Sequence, residues 1–188
     1  MKISTRELVL AALFTAVMCV VTILVRVFQP VMVIPFSLQP LVCLVAASVL
    51  SPHAAFMSML SYLLLGLIGL PVFASAPFGG PAYVLIPSFG FILGFPLAAW
   101  VQSKLIRRRS LINFTLAGIA GVITYYLVGL PYLYLILNYY VGHTVNIIRL
   151  LKIGFLPFIV FDLAKITLAA ILALEICRRL DINRETLN

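Results

Sequence analysis

An all-α membrane protein with six transmembrane helices is the fold class this sequence predicts. Three observations carry the expectation: an excess of apolar residues, a division into segments of bilayer length, and basic residues gathered at alternate segment ends. The 188-residue chain is 64% hydrophobic and 10% charged, with a mean hydropathy of +1.20. Soluble domains carry about a quarter charged residues, so this chain lacks the polar groups to cover a water-facing surface. From Val27 to Ser103 there is no Asp, Glu, Lys or Arg at all. Residues 1–188 read as a single transmembrane domain.

The segments can be drawn in order, against the roughly 20 apolar residues that span a bilayer as helix. The first runs from Thr5 to Val25. It is longer than a signal-peptide core and lacks a small-residue cleavage site, so it reads as a retained helix. The second, Leu38 to Leu50, is short, with Pro35 and Ser37 forming a bent entry. Ser51-Pro-His53 turns the chain into the third, Ala54 to Leu70. The fourth spans Tyr83 to Leu105, the fifth Leu111 to Leu137 and the sixth Phe155 to Ile176.

Charge orients this bundle. With both termini in the cytoplasm, the inner ends carry nine basic residues: Lys2, Arg6, Lys104, Arg107, Arg108, Arg109, Arg178, Arg179 and Arg184. The outer ends carry three, Arg26, Arg149 and Lys152, which is the bias of the positive-inside rule. The net charge of +8 therefore points to anionic membrane lipids as partners rather than to nucleic acid. Cys19, Cys43 and Cys177 form no CxxC or Cys/His ligand spacing, so no metal, cofactor or disulfide framework is expected.

Two features interrupt the apolar pattern. The stretch Leu70 to Ala82 holds three prolines and a Gly-Gly pair, so it cannot be regular helix, yet it is uncharged. Irregular backbone at membrane depth belongs inside protein or along a cavity. It reads as an apolar lid between helices three and four, on the outer side. The second feature is Asp162 and Lys165, three residues apart in the sixth segment and so on one helix face. Ionised groups in a bilayer cost at least about 2.5 kcal/mol and mark functional sites. They fall about 10 to 15 Å along a helix that enters from outside, at 1.5 Å per residue, beneath the lid. The expectation is a polar solute bound in the outer half. In helix five, Tyr125 is placed to face that cavity, while the later tyrosines fit an interfacial belt.

Catalysis is not expected. Intramembrane proteolysis needs a Ser/His pair, two facing aspartates or His-Glu-x-x-His, and the chain has none of these patterns.

Four stretches together resemble the BioY family, the biotin-binding S components of energy-coupling-factor (ECF) transporters. They are Ile34-Pro-Phe-Ser-Leu-Gln39, Ser61-Tyr-Leu-Leu-Leu-Gly-Leu-Ile-Gly-Leu-Pro-Val-Phe73, Pro87-Ser-Phe-Gly90 and Pro157-Phe-Ile-Val-Phe-Asp-Leu-Ala-Lys165. The resemblance implies six helices, cytoplasmic termini and biotin held near the outer face of a bacterial plasma-membrane protein. It implies that Asp162 and Lys165 contact the ureido end, where a carboxylate accepts from N–H and an ammonium donates to oxygen. Tyr62, Phe73, Phe78 and Tyr83 are candidates for the apolar walls of such a site, and Gln39 for a ligand bond or a backbone cap.

The chain departs from the family where a Gly-Pro-Thr/Ser-Gly-Gly-Tyr motif is common; here it reads Ile86-Pro-Ser-Phe-Gly-Phe91. Positions where some members carry Asn and Arg fall near Phe78 and at Ile92, so no charged partner for the biotin carboxylate is visible there. Ser75, Ser88 or lid N–H groups are what the chain offers instead. The resemblance also implies a transmembrane coupling protein and ATPase subunits, since this chain has no phosphate-binding loop. Ala12 and Ala16, one turn apart on the first helix, match the small-residue pair that docks the coupling protein. A carrier working without ATPase partners and an S component for another vitamin are the alternatives.

Overall fold

The computed structural model describes residues 4–28 and 37–180. Lys2, Arg184 and the stretch Ile34, Pro35 and Phe36 lie outside the described residues. Seven α-helices follow in order: α1 (Thr5–Phe28), α2 (Gln39–Val49), α3 (Pro52–Leu67), α4 (Phe89–Leu105), α5 (Leu111–Leu135), α6 (Ile147–Gly154) and α7 (Leu156–Arg179). A 3-10 turn, Pro81–Leu85, precedes α4, and a π turn, Ile136–Tyr140, extends α5. Among the described residues there is no strand.

Six of these helices match the expected segments. Tyr83, expected to open helix four, instead belongs to the 3-10 turn, and α4 begins at Phe89. α6 lies in what reads as an outer connection. Its start is explained by Asn146, whose side chain accepts from the Arg149 N–H at 2.8 Å and so caps the helix.

Among the described residues, three helices are long and apolar enough to cross a membrane: Thr5–Val27, Leu111–Tyr140 and Leu156–Arg179. The other three, α2, α3 and α4, have 11, 16 and 17 residues. At about 1.5 Å per residue, α2 falls well short of a hydrocarbon core about 30 Å thick. Burial explains how so short a helix fits. Every residue from Val42 to Val49 is buried, as in a helix apolar on all sides, so α2 sits inside protein and need not match the bilayer.

Small and polar side chains hold the helices together. The Thr15 hydroxyl donates to the Ser58 carbonyl at 2.9 Å, and the Ser58 hydroxyl to the Ala11 carbonyl at 2.9 Å, joining α1 to α3. Gln102 Nε2 donates to Leu44 O and Ser48 Oγ, both at 2.9 Å, joining α4 to α2. Close approach of α4 and α5 depends on Gly90 and Gly94. A Cβ at Gly90 would lie 2.3 Å from Tyr132 Cβ, and one at Gly94 would lie 2.9 Å from Tyr125 Cα. The small-x-x-x-small notch therefore serves packing within the chain. Arg6 Nη2 donates to Leu180 O at 2.5 Å, which brings the start of α1 against the end of α7.

Candidate ligand-binding site

Asp162 and Lys165 project from α7 into the bundle, where they are 3% and 7% exposed. Lys165 Nζ lies 2.9 Å from Asp162 Oδ1, closing the (i, i+3) pair expected from the spacing. The other carboxylate oxygen, Oδ2, accepts from the Tyr125 and Tyr126 hydroxyls, each at 2.8 Å. Both hydroxyls come from the middle of α5, and Phe95 and Phe91 of α4 meet the two tyrosine rings edge-on at 5.7 Å. Phe155 closes the far side against Tyr126 at 5.1 Å. The result is one carboxylate with three donors inside aromatic walls. It can exchange neutral O–H donors for other donors, and its ammonium partner can donate to an acceptor.

Each tyrosine hydroxyl supports a buried charge, so its removal has a measurable cost. Tyr125→Phe and Tyr126→Phe are each expected to lower stability by about 1–2 kcal/mol. The double variant should lose more than either, because Oδ2 then has neither phenol. Chemical unfolding in detergent micelles reads this. Equal stability of the double variant and the parent would show that the hydroxyls do not support the carboxylate.

A second cluster forms beneath the irregular segment. Gln39 Nε2 donates to Tyr62 Oη at 2.6 Å, and the Tyr62 hydroxyl donates to the Val72 carbonyl at 2.9 Å. Phe73 is fully buried, with Tyr62 edge-on at 5.6 Å, Tyr83 at 4.3 Å and Phe89 at 6.2 Å. Ser75 Oγ lies 2.8 Å from Tyr83 Oη. The segment folds back on the end of α3, where the Gly80 N–H donates to Gly66 O at 2.7 Å. Gly80 takes φ +90°, a conformation open to glycine. Gly79 sits so close that a Cβ would lie 2.2 Å from Leu70 O.

The expected site residues therefore divide into two groups. Asp162, Lys165 and Tyr125 share one network; Gln39, Tyr62, Phe73 and Tyr83 share the other. Phe78 belongs to the rim, at φ +67°, with the Arg26 guanidinium 4.3 Å above its ring. Ser88 is exposed, at the N-cap of α4, without a side-chain cap bond. Ala12 and Ala16 are exposed on α1, on the same outward side as Val9, Val20 and Leu24.

A family model described as the BioY family matches residues 1–182. This chain belongs to the BioY family. A probable biotin transporter BioY from Lysinibacillus sphaericus is 36% identical over 173 residues, which cover 90% of this chain and 86% of that protein. The biotin transporter BioY of Thermotoga maritima is 36% identical over 181 residues, covering 95% of this chain and 99% of that one. A crystal structure titled as the S-component for biotin from an ECF-type ABC transporter superposes with a TM-score of 0.75 at 23% identity. The match covers 94% of this chain and 95% of the other, a likeness of fold. These BioY relatives are named as transporters, not enzymes.

In this BioY chain, sequence reasoning passed over two residues. Tyr126 stands beside Tyr125 on Asp162. Arg26, read only as an outer-end charge, also donates through Nη1 to Pro71 O at 2.9 Å and Phe73 O at 3.3 Å. Both had a signal. A mid-helix phenol in an apolar bundle needs an acceptor, and Asp162 was the deep carboxylate. A proline-rich segment that cannot be helical leaves carbonyls unpaired, and Arg26, at the end of α1, was the nearby cation.

Proposed function

We propose that this protein binds biotin with high affinity in an outward-facing cavity and mediates its uptake, as the substrate-binding component of an ECF-type transporter. One observation carries the reading: a buried Asp162–Lys165 pair whose second carboxylate oxygen is held, among the described residues, by two neutral hydroxyls. A ureido group offers N–H donors to the carboxylate and a carbonyl oxygen to the ammonium. Tyr125 and Tyr126 hold the positions that ureido N–H groups would take, and their rings, with Phe91 and Phe95, supply apolar walls. Each charge-assisted contact is worth about 1.5–3 kcal/mol. Because both charged groups are buried, side chains must move for a ligand to reach them. The segment over Phe73 is the lid that governs entry, with Gln39, Tyr62, Phe78, Tyr83 and Ser88 lining or rimming the path.

The same reading makes residues 1–188 one domain in a bacterial plasma membrane. α1 to α5 and α7 are the six spans, and both termini are cytoplasmic. The even count, the basic residues around the paired ends of α1 and α7, and the small number at the opposite end support this. The exposed face of α1, with Ala12 and Ala16, is where the transmembrane coupling protein docks, and ATPase subunits supply the energy.

Titration calorimetry with biotin, and competition by other unlabelled vitamins, tests the ligand. Tight binding that only biotin displaces is the expected result; displacement by another vitamin with greater potency would reassign the site. Uptake by cells with and without the ATPase and coupling subunits tests the mode. Accumulation that persists without them would make this a solitary carrier.

A further inference from the structure

At the end of the bundle where α1 starts and α7 finishes, an open groove of about 600 Å³ runs between the α4–α5 turn and the last turns of α7. Its wall is apolar, from Leu111, Ile171 and Leu174, and its rim carries Arg109 and Arg178. Leu111 and Ile171 are 43% and 51% exposed, so that wall is open to the surroundings. Arg109 Nη2 is buried and has no hydrogen-bond partner among the described residues. A guanidinium nitrogen shut away from water without an acceptor is costly. An oxygen-rich anion in the groove would satisfy it once the side chain turns toward the opening. Glu175, the acidic residue of the lining, pairs with Arg179, whose Nε donates to its Oε1 at 2.6 Å, and leaves Arg109 Nη2 without an acceptor.

We propose that this groove is a specific site for one anionic phospholipid. Its phosphate bridges Arg109 and Arg178, and the first part of an acyl chain lies along Leu111, Ile171 and Leu174. The argument is one of matched halves. Two guanidiniums, one with an orphan donor, suit a phosphate in fork geometry, and basic pockets between transmembrane helices take anionic headgroups. An exposed aliphatic wall directly beside them suits a lipid and not a soluble anion. The level is also right: Arg6, Lys104, Arg107, Arg108 and Arg179 stand at this same end, where headgroups meet the protein. The site is separate from the Asp162 network and does not depend on what that network binds.

Native mass spectrometry of the detergent-solubilised full chain, offered equimolar phosphatidylglycerol and phosphatidylcholine, reads the site. One phosphatidylglycerol should be retained in preference to phosphatidylcholine. Arg109→Gln with Arg178→Gln should lower that retention by about fivefold per arginine, roughly 25-fold together. Arg107→Gln with Arg108→Gln, which removes the same charge from the same end outside the groove, should change it little. Leu174→Trp keeps both arginines and fills the wall, so it should also expel the lipid; this variant tests the site even if the arginine variant fails to fold. Equal retention of the two lipids, or equal loss in the two double-arginine variants, would reduce the effect to surface charge and overturn the proposal. Undiminished phosphatidylglycerol retention in Leu174→Trp would also overturn it. So would thermal stabilisation by inorganic phosphate that matches phosphatidylglycerol, because a free anion would then be the occupant.

Discussion

Replacing Asp162 by Asn, or Lys165 by Met, is expected to weaken biotin binding by on the order of 100-fold, the equivalent of one to two lost charge-assisted hydrogen bonds. The single variants carry a second cost. Lys165→Met leaves a buried carboxylate facing only Tyr125 and Tyr126, and Asp162→Asn leaves the ammonium without the carboxylate 2.9 Å away. Breaking one partner from a buried pair costs about 3–5 kcal/mol, whereas removing both charges together is often close to neutral. The double variant Asp162→Asn/Lys165→Met should therefore recover most of the stability lost by each single variant. It should not recover binding. This split separates a recognition pair from a packing pair, because a pair kept for packing would let both properties return together. Titration calorimetry gives the binding and chemical unfolding in micelles gives the stability. Restored binding in the double variant would sink the recognition role of α7.

What made the pair legible in sequence was its cost. Two charges in an apolar segment stand out because the bilayer penalises them, and helical spacing then places both on one face. The partners of the pair were harder to read. Tyr126 is adjacent to Tyr125, so helical spacing alone assigns the two to different directions, about 100° apart. The structure reconciles them by letting two neighbouring phenols straddle one oxygen, Asp162 Oδ2. The six apolar segments were visible because each is an apolar run set off by turn residues or charges, the short second one included, whereas α6 is eight residues with two cations and begins only by virtue of its Asn146 cap. The segment between α3 and α4 was legible as irregular but not as a fold. Three prolines and Gly79-Gly80 exclude a helix, yet no local rule says that Gly80 returns to Gly66 or that Arg26 holds Pro71 and Phe73. Those contacts join residues 14 to 47 positions apart and depend on how α1, α3 and the segment meet in space.

Gly66→Ala is expected to dislodge the irregular segment of residues 70–82. A Cβ at Gly66 would lie 2.0 Å from Phe73 Cζ, 2.3 Å from Cε1 and 2.5 Å from Cε2, so the ring must move. It has little room, because Tyr62, Tyr83 and Phe89 surround it and its exposure is 0%. Overpacking of this kind costs about 1–3 kcal/mol. The strain acts directly on the segment that bears Phe73, whose closing bonds run from the Phe73 N–H to Phe78 O at 2.8 Å and from the Gly80 N–H to Gly66 O at 2.7 Å. Amide hydrogen exchange over residues 70–82 should therefore quicken in Gly66→Ala, while α5 and α7 keep their protection. Phe73→Ala should quicken the same amides by the opposite route, since it removes the ring that anchors the segment and leaves a void. Combined, the two substitutions should cost less than their sum, because the new methyl enters space the ring has left. A coupling of this sign is the mark of direct contact. Unchanged exchange across residues 70–82 in Gly66→Ala would mean that the ring can yield without the segment, which would then be held by Arg26 and Tyr62 instead. If the segment does govern entry to Asp162 and Lys165, both variants should release bound biotin faster than the parent, with the charged pair itself untouched.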